Sequence, residues 1–97
     1  MKSMNVVRLK VKPEHQDEFI KVTSEARHHE SQLSFKMIQT GDNQFCGIGE
    51  WESEDALVSA RPSMIKFLDS IRHMLEEISP ELGVTDPVAG PVIMEEK

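Results

Sequence analysis

The chain has 97 residues, 38 % of them hydrophobic and 29 % charged, which is the composition of one folded domain spanning 1–97 and excludes wholesale disorder. Seventeen Asp and Glu against eleven Lys and Arg leave a formal charge of −6, so nucleic acid and anionic membranes are poor partners: no basic surface exists to release their counterions. The single cysteine, Cys46, excludes an internal disulfide and any multi-cysteine metal site. No apolar run approaches the length of a bilayer span, and Met1-Lys2-Ser3 leads straight into a strand-like segment, so a soluble, cytoplasmic domain is expected. A core this small is marginal alone, which favours association with a second copy.

Asn5 to Lys12 alternates apolar and basic residues with period two, a half-buried strand with Val7, Leu9 and Val11 on one face. Pro13 suits a first helical turn, and Glu14, Asp17 and Glu18 suit a helix N-terminus. Phe19, Val22, Thr23 and Ala26 then predict a surface helix from about Pro13 to His29. Leu33 to Gln39 alternates again, Gly41-Asp42-Asn43 is turn chemistry, and Gln44 to Glu52 completes a hairpin. Ser53 caps a second helix whose first turn holds Glu54 and Asp55. Pro62 predicts a bend in it, after which Met64, Phe67, Leu68, Ile71, Leu75 and Ile78 carry the apolar stripe to Ser79-Pro80. The segment Gly83 to Val88 reads as a loop, a candidate lid or dimer clasp, and Val88 to Met94 as a last strand that Pro91 confines to an edge or a bulge.

The order β-α-β-β-α-β predicts an α+β, ferredoxin-like sandwich: a four-stranded antiparallel sheet with two helices on one face. The uncovered face would include Ile38 and Ile48, and a partly apolar open sheet face predicts a homodimer joined sheet to sheet.

Few residues point to chemistry. The four histidines, His15, His28, His29 and His73, read most simply as surface and capping groups, and no metal site is expected. Glu25 and His29 have helical ligand spacing, but two ligands on a solvated helix are weak grounds. Cys46 has no activating neighbour in sequence and reads as a small hydrophobe. No phosphate-cradling glycine motif occurs, so no nucleotide cofactor is expected. The informative stretch is Phe45-Cys46-Gly47-Ile48-Gly49-Glu50-Trp51. Gly47 and Gly49 share a face with Phe45 and Trp51, so they mark either a hollow in the sheet floor between aromatic walls or a place of close helix–sheet packing or a bulge.

The run Glu50-Trp51-Glu52-Ser53-Glu54-Asp55-Ala56-Leu57, at a strand-to-helix junction in a β-α-β-β-α-β chain of this length, resembles the antibiotic-biosynthesis monooxygenase-like (ABM) domains. The resemblance implies a dimeric α+β barrel of two ferredoxin-like subunits, each with a pocket between sheet and helices. It also implies a cofactor-independent monooxygenase acting on a small aromatic or phenolic molecule, or a haem-degrading relative. Haem-degrading members use an Asn on the first strand, a Trp ending the third, and an iron-ligating His about ten residues later. Here Trp51 matches, Val7 stands in the first-strand position, and Arg61 stands where the His would be. Arg61 cannot ligate iron, so haem degradation is disfavoured. The chain also lacks the Tyr common in quinone-forming oxygenases. The expected substrate-binding set is Trp51, Arg61, Gly47, Gly49, Phe35 and Phe67, with stacking and charge as the means of recognition. The alternative is a non-catalytic ligand-binding or structural homodimer of the same fold.

Overall fold

The computed structural model describes residues 1–25 and 30–96. Strand β1 (Ser3–Lys10) is followed by a one-turn 3₁₀ helix (Pro13–His15) and α1 (Gln16–Glu25). The hairpin β2 (Gln32–Gly41) and β3 (Gln44–Trp51) leads to α2 (Glu54–Ile71), a second 3₁₀ turn (Arg72–Met74) and β4 (Thr85–Pro91). The sheet order is β2-β3-β1-β4 with every neighbouring pair antiparallel, the ferredoxin-like arrangement the element order implied.

Period-two alternation divides the sheet into two chemically different faces. Leu9 pairs with Phe45, Val7 with Gly47, Asn5 with Gly49 and Ser3 with Trp51 on the helix side. That face meets the helices through two separate apolar clusters. One joins Leu9, Val11, Phe19, Phe45, Ile71, Met74 and Leu75; the other joins Trp51, Leu57 and Ala60, with Met64 packed against them. Phe19 is the one buried residue of α1 and meets the Phe45 ring at a centroid distance of 5.1 Å. The opposite face carries Val6, Ile38, Ile48 and Val88, with Ile38 45 % and Val88 63 % exposed. Cys46 is buried on this second face, beside Ile48 along the strand.

Local chemistry explains the turns. Asn43 takes φ 63° in the two-residue hairpin turn, a left-handed conformation that Asn tolerates. Ser53 Oγ accepts a hydrogen bond from the Ala56 N–H at 3.1 Å, capping α2. Pro62 lies inside α2 without ending it. Pro62 and Val58 are both exposed, so the missing hydrogen bond falls on the outer side of the helix.

Four boundaries depart from the sequence reading. Strand β1 is shifted two residues earlier, and Val11 forms an isolated bridge with Leu75 instead of extending it. That bridge explains the second departure: α2 stops at Ile71, because Leu75 is extended and paired, and the apolar stripe through Leu75 and Ile78 serves chain that is no longer helical. Third, the segment Gly83 to Val88 is not a free lid, since from Thr85 onward it is β4, hydrogen-bonded to β1. Pro87 and Pro91 are tolerated because β4 is an edge strand. Fourth, the first helix opens with a 3₁₀ turn before α1, and its expected end at His28-His29, with the Glu25–His29 pair, lies outside the described residues.

Packing sets the expected stability effects. Phe19→Ala should cost about 3–5 kcal/mol by removing the side chain that holds α1 to the sheet. Ser53→Ala should cost about 1 kcal/mol through loss of the cap. Urea unfolding of the two variants against the parent protein checks both values.

Candidate functional site

Trp51 ends β3 and is 2 % exposed, packed against Leu57, Ala60 and Met64 of α2. A buried indole N–H needs an acceptor, and Trp51 Nε1 donates to Asn5 Oδ1 at 2.7 Å. Asn5 is therefore a functional candidate that sequence reasoning missed. It is the first-strand asparagine that meets the tryptophan, two residues before the Val7 position assigned to that role. Val7 faces Gly47 instead. The signal was available: Asn5 is a polar residue in alternation with Val7, Leu9 and Val11, on an otherwise apolar run.

Gly49 sits directly opposite Asn5 in the sheet register. A Cβ at this position would stand 2.5 Å from Asn5 Oδ1, 3.0 Å from Gln32 Nε2 and 3.1 Å from Trp51 Nε1. Glycine is thus required for the amide–indole contact to form across the sheet floor. At Gly47 the neighbours are softer: a Cβ would meet Phe35 Cζ at 3.2 Å and Met37 Cε at 3.3 Å. The floor above the glycines is taken by side chains of the same sheet, Phe35 and Met37 over Gly47 and Asn5, Gln32 and Trp51 over Gly49. Next to this group Ser3, buried and paired with Trp51, donates its hydroxyl to the Gly90 carbonyl at 3.0 Å. The result is an aromatic centre with amide and hydroxyl groups on its strand side and aliphatic groups on its helix side.

The six sequence-predicted site residues are only partly brought together. Trp51, Gly49, Gly47 and Phe35 share the helix-facing side of β2 and β3, with Phe35 paired to Gly49. Arg61 and Phe67 lie on α2, where Leu57, Ala60, Met64 and Ile71 form the sheet-facing stripe. Helical geometry puts Arg61 on one flank of that stripe and Phe67 on the other. Arg61 is exposed and Phe67 is 36 % exposed. Two open depressions, each of about 270 Å³, lie elsewhere on the chain. One is formed by both termini around Lys2 and Met94, the other by the β1 and β3 ends around Arg8, Phe45 and Ile78.

No family model and no curated protein matches this sequence. Solved structures do. A provisionally named antibiotic biosynthesis monooxygenase from Chloroflexus aurantiacus J-10-fl superposes with a TM-score of 0.74 at 13 % identity, over 100 % of this chain and 98 % of its own. SnoaB of Streptomyces nogalater, described as a cofactor-independent oxygenase, gives 0.68 at 15 % identity over 97 % of this chain and 95 % of its own. The monooxygenase from the gene ActVA-Orf6 of Streptomyces coelicolor, solved with the ligand nanaomycin D, gives 0.71 at 17 % identity over 98 % and 90 %. The fold is that of the antibiotic biosynthesis monooxygenases. The likeness covers the whole chain, so the ABM resemblance carried by the Glu50–Leu57 run extends to the architecture around it.

The glycine contacts generate a direct comparison. The chain has one Trp and no Tyr, so its intrinsic emission reports on the Trp51 environment. Gly49→Ala should push Asn5 off the indole, red-shift that emission and destabilise the fold by about 1–3 kcal/mol, the cost of an unsatisfied buried donor. Gly47→Ala should leave the emission maximum unchanged, because the Phe35 and Met37 tips can move aside. Fluorescence spectra and urea unfolding of the two variants test the difference.

Proposed function

We propose that this chain is a cofactor-independent oxygenase that binds a small aromatic hydroxy compound, a phenol or an anthrone, between sheet and helices. The observation that carries this reading is the hydrogen bond from buried Trp51 to half-buried Asn5 on the helix-facing floor. Asn5 spends its carbonyl oxygen on the indole, which turns its amide nitrogen into a fixed donor for a substrate oxyanion. Trp51 is buried and serves to hold Asn5, half-buried Phe35 offers aromatic surface, and Phe67 and Arg61 flank the approach from α2, Arg61 with a permanent positive charge for an anionic substrate. Gly49 leaves the room in which Asn5 meets the indole. The fold likeness to an oxygenase described as cofactor-independent, and to a monooxygenase solved with the ligand nanaomycin D, supports the reading.

The chemistry is self-contained. An anthrone that loses its acidic C–H proton to solvent, which later returns a proton to the peroxide, becomes an electron-rich anion able to reduce dioxygen. The oxygen adds at that carbon as a hydroperoxide, and loss of water leaves the quinone. One anthrone and one O₂ thus give one quinone and one H₂O, with the electrons drawn from the substrate. The donor on Asn5 would stabilise the oxyanion formed in the first step, when charge moves onto the ring oxygen. Haem degradation fits less well: Asn5 and Trp51 supply two of its three residues, but Arg61 has no lone pair to offer iron.

A second reading, the non-catalytic homodimer, is favoured by one observation: Phe35 and Met37 cover Gly47, so the floor there is closed. Oxygen uptake with anthrone separates the two. The oxygenase reading predicts protein-dependent consumption of one O₂ per quinone formed, reduced about a hundredfold or more in Asn5→Ala, the order seen when one oxyanion donor is removed. Uptake no faster than the uncatalysed rate, with the protein folded, would leave the non-catalytic reading.

The homodimer itself would form through the open face of the sheet, where Val6, Ile38, Ile48 and Val88 gather. Light scattering after gel filtration should give the mass of two chains for the parent protein and of one chain for the double variant Ile38→Glu, Val88→Glu. Both side chains are exposed in the single chain, so folding should survive the change. A parent protein that runs as one chain would contradict this interface.

A further inference from the structure

The fold joins two histidines that lie far apart in sequence. His15 closes the first 3₁₀ turn and His73 sits in the second. The two turns are laced by main-chain hydrogen bonds: the Lys12 N–H donates to the Met74 carbonyl at 2.8 Å, and the Glu76 N–H to the Lys10 carbonyl at 2.7 Å. Between them Val11 pairs with Leu75, and Val11, Met74 and Leu75 are all buried. The backbone under both histidines is therefore fixed by the core. It sets the two imidazole rings edge to face, with centroids 5.5 Å apart. Glu18, three residues after His15 on the same helical face, brings Oε1 to 2.9 Å from His15 Nδ1. One ligand atom from each of His15, Glu18 and His73 lies within 4.8 Å of the other two.

We propose that His15, Glu18 and His73 form a zinc-binding site that ties the start of α1 to the segment leaving α2. Two imidazoles and one carboxylate are a zinc donor set, and three protein ligands leave a fourth position for water. Bond lengths of about 2.0–2.2 Å place tetrahedral ligands a little over 3 Å apart, so rotation of exposed side chains closes the remaining gap while the backbone stays in place. His15 and Glu18 already point at one another, and His73 presents the third group from the other turn. The neighbouring cation, Arg72, is engaged by Asp69 at 3.0 Å and does not compete for Glu18. As an ion pair alone, an exposed His–Glu contact contributes little, and two facing imidazoles contribute less. A metal ion uses all three groups at once. Because it would bind the folded arrangement only, it would also stabilise the fold in proportion to its concentration. This site is independent of the Trp51 floor and of the oxygenase reading.

The test uses the full chain stripped of metal with a chelator and titrated with zinc chloride, by calorimetry and by thermal unfolding. One zinc per chain should bind, with a rise in melting temperature. His73→Ala and Glu18→Gln should each weaken binding by more than the roughly tenfold to hundredfold that an outer-shell partner is worth, and should abolish the zinc-dependent rise. Their melting temperatures without metal should match the parent's, since both side chains are exposed. The double variant His28→Ala, His29→Ala should bind as the parent does. Zinc binding that survives His73→Ala, that is lost in the His28/His29 variant, or that never saturates at one ion per chain would overturn the proposal.

Discussion

A buried tryptophan must find an acceptor for its N–H, and in this fold that need organises one half of the sheet. Trp51 reaches from β3 to Asn5 of the neighbouring β1, and the reach is possible only because Gly49 has no side chain in the way. The same indole is the centre of the smaller apolar cluster, with Leu57, Ala60 and Met64 of α2. One hydrogen bond thus links strand register, helix docking and the polar group that the proposed chemistry uses. The other half of the sheet is organised differently, by Phe19, Phe45, Leu9 and Ile71 packed without any polar partner. The two clusters divide labour: one holds the fold together, and the other combines packing with a fixed amide.

The sheet has a second constraint, its two unequal faces. Two helices cover only the side that carries Leu9 and Phe45, and what remains exposed is neither fully polar nor fully apolar. Val6, Ile48 and Val88 are interleaved with Arg8, Lys10 and Glu50. The charged residues lie partly in ion pairs, Arg8 with Asp86 at 3.2 Å and Lys10 with Glu76 at 3.6 Å. Such exposed pairs add little stability, and Lys36 adds a further charge on this face, opposite Ile48.

Much of the architecture was legible in the residues. Alternation gave β1, β2 and β3, the Asp42-Asn43 turn gave the hairpin, and Ser53 with two following acids gave the start of α2. Errors fell where an apolar residue has two possible uses. Leu75 continues the α2 stripe in sequence, yet it is extended and paired with Val11, and helical periodicity carries no information about that choice. Pro87 argued for a loop, but an edge strand accommodates it. At the site, Gly49 and Trp51 stood out because glycine in a strand interior is costly. Asn5 was passed over because its partner sits on another strand. The His15–His73 contact was likewise invisible, since the lacing of the two 3₁₀ turns that creates it is a property of the tertiary fold and not of either turn.

The central claim is that the Trp51–Asn5 pair forms the floor of a site for an aromatic hydroxy compound. The single tryptophan gives a single indole N–H cross-peak in a nitrogen–proton correlation spectrum, so this group can be followed without ambiguity. During titration with anthrone under exclusion of oxygen, that peak should move saturably, and in Asn5→Ala the response should be lost while the fold is retained. An indole peak that stays fixed throughout the titration, with the protein folded and the ligand in excess, would contradict the claim.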